Sequence, residues 1–67
     1  MLVEKIGNTI KNRRKELKIT QSSLAELAEI SVITLNKIER GTSNPSLVVL
    51  EKLADVLGME LNINVKK

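Results

Sequence analysis

Apolar residues recur every three to four positions over most of this chain, a spacing that predicts amphipathic helices. We expect four helices, at about 2–18, 21–28, 32–40 and 46–57. Thr20, Ser31 and Ser46 each stand just before a predicted helix, where a side-chain hydroxyl caps the first N–H groups. Gly41 stands just after the third helix, where a left-handed glycine commonly ends a helix. The first 58 residues are therefore predicted to be all-α.

The apolar stripe of each predicted helix defines the expected core. The residues expected to face inward are Leu2, Ile6, Ile10 and Leu17, then Leu24, Ala25, Leu27 and Ala28, then Leu35 and Ile38, and finally Leu47, Leu50, Leu53, Ala54 and Leu57. With 67 residues, the chain is expected to form one domain over 1–67. A core of this size is marginal, so we expect self-association to add stability.

The period changes after Gly58. Met59, Leu61, Ile63 and Val65 alternate with polar residues, and a spacing of two indicates a half-buried strand over 59–65. A lone strand would leave its N–H and C=O groups unpaired. We therefore predict antiparallel pairing of these four residues with the same strand of a second copy, across a two-fold axis. A frayed tail or a short fifth helix is the alternative.

Composition narrows the chemistry. The chain has no Cys and no His, which excludes disulfides, zinc fingers and Cys- or His-based catalysis. The carboxylates are scattered, so we expect no metal ion, no cofactor and no enzymatic activity. Phe, Tyr and Trp are also absent, which disfavours the stacking of single-stranded bases. We also expect a cytoplasmic protein without a membrane partner, since the chain has no long apolar run and nothing like a signal peptide.

The charge pattern favours a polyanionic partner. The formal net charge is +3, and the basic side chains cluster in the first predicted helix. The cluster comprises Lys5, Lys11, Arg13, Arg14, Lys15 and Lys18. A solvated helix face with no ligand would show the same pattern, so the cluster alone does not decide between the two.

Two short helices separated by a tight turn, 21–28 and 32–40, have the spacing of a helix-turn-helix. This arrangement leaves Val32, Ile33, Asn36 and Lys37 on the outer face of the second helix. Aliphatic groups contact thymine methyl groups, an amide pairs with adenine, and an ammonium group donates to guanine. These four residues are therefore candidates for reading bases. A helical hairpin with incidental surface residues is the alternative.

Three segments, 13–25, 35–41 and 44–47, together resemble the Xre family of phage-repressor-like regulators. Their telling features are the Thr20-Gln21 pair, the Ile38-Glu39-Arg40-Gly41 ending and the Asn44-Pro45 loop. The resemblance extends over about residues 5–58. It implies a four-helix, lambda-repressor-like domain that binds double-stranded operator DNA. The simplest expectation is a homodimeric, sequence-specific repressor that reads the major groove with helix 32–40.

The resemblance also implies roles for individual residues. Arg14 and Glu39 match an ion pair between the first and third helices, and Gln21 matches a residue that supports the reading helix. Glu29 stands where the family usually has Gly, so we expect a positive φ there. Val32 and Ile33 replace polar base readers, which leaves the operator sequence open. The residues implied to contact phosphate are Arg14, Thr20, Gln21, Thr34, Thr42, Ser43 and Asn44.

The ending over 59–65 resembles antitoxins of the HipB type more than other members. In that subgroup a short strand pairs across the dimer axis, and the dimer represses its own operon. Members also bind a protein toxin. A HipB-like antitoxin that holds a toxin partner is therefore the alternative function.

Overall fold

The computed structural model describes residues 2–66, which form four helices. They are α1 (Leu2–Glu16), α2 (Gln21–Leu27), α3 (Val32–Glu39) and α4 (Leu47–Leu57). The predicted four-helix, all-α architecture is confirmed, with boundaries that differ from the expected ones by one or two residues. Helices α1 and α2 each pack against both α3 and α4. Over residues 2–66, no helix has the length and apolar character needed to cross a membrane.

Hydroxyl caps begin three of the helices, as the sequence predicts. The side-chain oxygens of Thr20, Ser31 and Ser46 accept hydrogen bonds from N–H groups three residues ahead, at 3.0, 3.0 and 3.2 Å. Each bond satisfies a donor that the helix itself leaves unpaired. Gly58 ends α4 with a left-handed φ of 67°, and Gly41 follows α3 with a φ of 71°. Local sequence therefore fixes most helix ends.

Helix α1 ends two residues earlier than expected. Lys18 has a φ of 57°, which turns the chain out of the helix. The N–H of Ile19 then donates to the carbonyl of Arg14 at 3.2 Å, a bond typical of a helix closed by a left-handed residue. Glycine usually occupies such a position, so a lysine there gave no signal in the sequence.

The core lies where the four helices meet. Its fully buried side chains of largest volume are Leu24, Leu35, Ile38, Leu53 and Leu57. The expectation that Leu2, Leu17, Leu27 and Leu47 face inward is wrong, because all four are exposed. Leu2 and Leu47 are the first residues of their helices and are 70% and 74% exposed. Leu17 follows the last residue of α1, so it leaves the helical stripe. Leu27 lies off the buried face of α2, because each residue turns a helix by about 100°.

Helices α1 and α3 pack unusually closely at Gly7. A Cβ atom added there would overlap the carbonyl oxygen of Ile38 and lie 3.1 Å from that of Glu39. Glycine is therefore the residue that lets the two backbones touch at this point. The close approach brings the C-terminal end of α3, including Glu39, against α1.

The predicted strand over 59–65 is absent from the single chain. Residues 59–66 have no regular secondary structure, and no strand occurs elsewhere among the described residues to pair with them. The N–H of Met59 donates to the carbonyl of Ala54 at 2.8 Å, and its side chain packs on the core. Beyond it, Ile63 is 99% exposed and Val65 is 91% exposed. A strand needs a partner strand, and the chain itself supplies none.

Candidate nucleic-acid interface

The turn between α2 and α3 sets their crossing. Glu29 has a φ of 58°, as the family resemblance implies for this turn. The N–H of Ile30 donates to the carbonyl of Ala25 at 2.9 Å, which closes the turn. Ala25 itself is buried, and a longer side chain there would push the helices apart. The two helices thus have the compact arrangement of a helix-turn-helix.

A buried ion pair joins α1 to α3. Arg14 donates to Glu39 through Nε at 2.7 Å and through Nη2 at 3.0 Å, so both carboxylate oxygens are engaged. The side chains are only 12% and 2% exposed, respectively. The hydrogen bond to Glu39 raises the pKa of the Arg14 guanidinium above its usual value. The pair implied by the family resemblance is therefore present.

Arg14 also contacts the segment that follows α1. Its third nitrogen, Nη1, donates to the carbonyl of Ile19 at 2.9 Å, so all three nitrogens face the protein. Nη1 and Nη2 each keep one further hydrogen, but the side chain is only 12% exposed. Arg14 therefore positions α3 through Glu39, and its phosphate contact stays a prediction.

Gln21 continues the network toward the outer face of α3. Its Nε2 donates to Glu39 Oε1 at 3.0 Å, and its Oε1 accepts from Asn36 Nδ2 at 3.5 Å. The side chain is half-buried. These contacts agree with the predicted role of Gln21 in supporting the reading helix. They leave its predicted phosphate contact as a prediction.

The structure brings the four predicted base readers together. They line one shallow concavity on the protein surface. Its two aliphatic side chains are exposed, Val32 at 42% and Ile33 at 66%. Gln21 and Arg40 complete its lining. The concavity therefore combines two aliphatic side chains with two amides and two cations. Such a surface can contact methyl groups and donate hydrogen bonds to base-edge acceptors.

Arg40 is a member of this surface that the sequence analysis missed. It is exposed at the C-terminal cap of α3 and lies on the same side as Asn36 and Lys37. Helical spacing contains the signal, since positions three and four apart share a face. The residue was assigned only to the family motif that ends the helix, which obscured its place on the surface.

The other residues implied to contact phosphate occupy two kinds of place. Thr20 and Thr34 are exposed near the N-termini of α2 and α3, and each bonds within a cap. Thr42, Ser43 and Asn44 line a separate depression beside α1. The Thr42 N–H and hydroxyl both donate to the Lys37 carbonyl, at 3.0 and 3.2 Å.

The loop that follows α3 still has backbone donors to offer. Within residues 2–66, no hydrogen bond engages the N–H of Ser43 or Asn44. These two groups, and not that of Thr42, are therefore the ones the loop could present to a phosphate. No cluster of three or more acidic side chains suited to a metal ion occurs in the same described range.

A short-turn helix pair with a supported, exposed second helix defines this chain as a DNA-binding helix-turn-helix domain. Comparison with known proteins identifies its family: a family model described as helix-turn-helix matches residues 10–63. The chain belongs to that family, which confirms the resemblance to Xre-type regulators. Family membership also agrees with the prediction of a transcription regulator and not an enzyme.

Individual relatives point the same way. The chain is 47% identical over 57 residues to an immunity repressor protein of Bacillus phage phi105, covering 85% of this chain and 40% of that protein. It is 39% identical over 51 residues to an HTH-type transcriptional regulator of Methanothermobacter thermautotrophicus, covering 76% of this chain and 74% of that protein. The chain thus spans two fifths of the phage repressor.

Among solved structures, the restriction-modification controller protein C.AhdI from Aeromonas hydrophila is similar in fold. It superposes with a TM-score of 0.83 and 33% sequence identity, over 87% of this chain and 88% of that one. The match extends over nearly the whole of both chains. The four-helix arrangement of this chain is therefore shared with that controller protein.

Proposed function

We propose that this protein binds double-stranded operator DNA sequence-specifically, with α3 in the major groove. The observation that carries the proposal is the exposed face of α3, held in place from behind by the Arg14–Glu39 pair and by Gln21. A major groove about 12 Å wide admits an α-helix. Rigid support matters because base readout requires side chains fixed relative to the duplex.

Each side chain on the outer face of α3 suits a particular group on a base edge. Lys37 donates to guanine acceptors, Asn36 pairs with adenine, and Val32 and Ile33 contact thymine methyl groups. Contacts to the DNA backbone, which position the domain, are then expected from the polar residues around this face. They are Thr20, Gln21, Thr34, Arg40, Ser43 and Asn44; Thr42 would join them only by turning its hydroxyl hydrogen from the carbonyl of Lys37 to the phosphate. Phosphate contacts position the domain, and base contacts specify the sequence.

We further propose that the protein acts as a homodimer through its C-terminal segment. Leu61, Ile63 and Val65 are exposed there, and Leu47 and Val48 are exposed on α4. Leu61 and Ile63 line a common groove with the two α4 residues, so these apolar groups form one surface. Removing each aliphatic side chain from water contributes about 1.5–3 kcal/mol. Pairing of the 59–65 segments between two copies would supply that burial.

Repression is the mode of action that the relatives favour, since the phage phi105 relative is named an immunity repressor. A repressor of this kind would act in the cytoplasm, where its operator is. The alternative of a HipB-like antitoxin depends on a toxin partner. No observation on residues 2–66 favours that partner, so the antitoxin stays an alternative prediction.

Selection of bound duplexes from a random pool tests the proposal. We expect a two-fold symmetric motif with half-sites one helical turn apart, roughly 34 Å. Recovery of a single half-site would support the reading helix and contradict the dimer. Recovery of duplexes without any shared motif would contradict sequence-specific binding itself. A variant lacking both Lys37 and Arg40 serves as the control for non-specific retention.

A further inference from the structure

We infer that Glu39, acting through Gln21, fixes which way the side-chain amide of Asn36 points and thereby sets the base preference at the position Asn36 reads. The inference rests on the proposed function, because it concerns how that same surface discriminates bases. It makes Gln21 a positioning residue for base readout, in addition to any contact it makes with the backbone.

Two groups in the network have a single hydrogen-bonding role: the Arg14 guanidinium only donates, and the ionised Glu39 carboxylate only accepts. Gln21 therefore has to turn its NH₂ group toward Glu39, and the 3.0 Å contact between Nε2 and Oε1 shows this arrangement. Arg14 donates to both oxygens of the same carboxylate from the other side, which holds it in place.

The orientation of Gln21 then determines that of Asn36. With its nitrogen on Glu39, Gln21 presents its carbonyl oxygen to α3. Asn36 meets that oxygen with its own NH₂ group, Nδ2 to Oε1, at 3.5 Å. The opposite orientation would place two carbonyl oxygens against each other. The contact is long and weak by itself, but the carboxylate behind it gives it a single direction.

This direction leaves a defined set of atoms for the DNA. Asn36 retains its Oδ1 acceptor and the second hydrogen of Nδ2. Adenine offers an N6 donor and an N7 acceptor in the major groove, which this set complements. Guanine offers two acceptors, O6 and N7, and one of them would face Oδ1. We therefore assign adenine to the base at this position, with the order of donor and acceptor fixed.

The competing role of Gln21 predicts a different pattern. A residue that only contacts phosphate weakens binding about equally on every sequence when it is removed. A residue that orients Asn36 affects one base position more than the rest. Loss of general stability is a third effect, and it lowers the folded fraction without altering relative affinities.

The experiment compares relative affinities for the selected duplex and all of its single-base variants. Asn36→Ala first identifies the position where adenine preference depends on Asn36. Gln21→Met keeps the side-chain length and removes both polar atoms, and Gln21→Asn keeps the amide but shortens its reach. Ser22→Ala, on the exposed side of α2, is the matched control. Thermal unfolding confirms that each variant is folded at the assay temperature.

We expect both Gln21 variants to reduce adenine preference at that position ~5-fold or more, with smaller changes elsewhere. In the Gln21→Met/Asn36→Ala double variant, loss of Gln21 should have no further effect on the preference there. Equal weakening on all duplexes, or an unchanged preference, overturns the inference while leaving sequence-specific binding intact. A wild-type protein without preference at any position contradicts the proposed function itself.

Discussion

The outer face of α3 and the C-terminal segment both expose aliphatic side chains, but they differ in what supports them. Val32 and Ile33 lie on α3, whose last residue, Glu39, is tied to α1 and α2 by hydrogen bonds of 2.7 to 3.0 Å. Ile63 and Val65 lie on a segment without regular secondary structure. The last backbone hydrogen bond before them joins Met59 to Ala54.

The difference indicates two modes of recognition. Side chains on a fixed helix present a preformed surface, which suits a partner as regular as a DNA groove. Side chains on an unsupported segment gain their geometry only when a partner pairs with the backbone. On our account, the first surface reads bases and the second joins two copies. The predictions below test each half of this comparison.

The largest effect is expected from removing the support of α3. Arg14→Ala leaves the Glu39 carboxylate buried with Gln21 as its remaining side-chain donor, which should cost about 3–5 kcal/mol of unfolding free energy. A 67-residue domain has a stability of comparable size. Urea unfolding should therefore show a mostly unfolded variant.

Arg13→Ala is the matched control for Arg14→Ala. It removes the same charge from the next position, and it loses a 2.9 Å bond to the carbonyl of Leu57 that is worth roughly 1 kcal/mol. Similar losses for the two variants would show that the buried pair has no special role in holding α3.

A second prediction is that a substitution in the C-terminal segment changes self-association without changing monomer stability. Ile63→Asp introduces a charge at a side chain that is 99% exposed in the single chain, so monomer stability should change by under about 0.5 kcal/mol. Self-association should weaken ~10-fold or more, because an unpaired charge would enter the proposed interface. Sedimentation equilibrium measures this.

Asn64→Asp, one residue away on the opposite side of the predicted alternation, introduces the same charge and is the control for Ile63→Asp. If both variants weaken association to the same extent, the alternating pattern has no role. A wild-type protein that stays monomeric at high micromolar concentration would remove the dimer from the account.

The smallest effect concerns the turn that orients α3. Glu29→Gly relieves a left-handed conformation that costs a non-glycine residue about 1 kcal/mol, and it adds chain entropy to the unfolded state. We expect a net gain in stability of under about 1 kcal/mol, measured as a small rise in Tm. Glu26→Gly, inside α2, should instead lower Tm, since glycine weakens a helix interior. A clear drop in Tm for Glu29→Gly would contradict this account of the turn.

The sequence predicted local features well because local chemistry determines them. The hydroxyl caps follow from residue type and spacing, whereas the positive φ at Glu29 was implied by the family resemblance. Packing at helix ends does not, which is why Leu2 and Leu47 were wrongly placed in the core. Arg40 was missed because it was treated only as part of the motif that ends α3, and not as a residue on the outer face of that helix.

The contacts between different helices in the site could be predicted from the sequence only in part. Family resemblance implied the Arg14–Glu39 pair, but not that the third nitrogen of Arg14 would donate to the carbonyl of Ile19. Nor could spacing show that Gln21 links Glu39 to Asn36, because that link depends on the crossing of α2 and α3. The C-terminal segment stays a prediction because its structure depends on a second chain.

The central claim is that the outer face of α3 reads bases, and Lys37 tests it most directly. The measurement is the affinity of wild-type and Lys37→Ala protein for the selected duplex and its single-base variants, at one salt concentration. Lys52→Ala, which removes the same charge from α4, is the control. We predict that Lys37→Ala loses ~5-fold or more of its preference for guanine at one position. Equal weakening on every duplex would contradict base reading by this face.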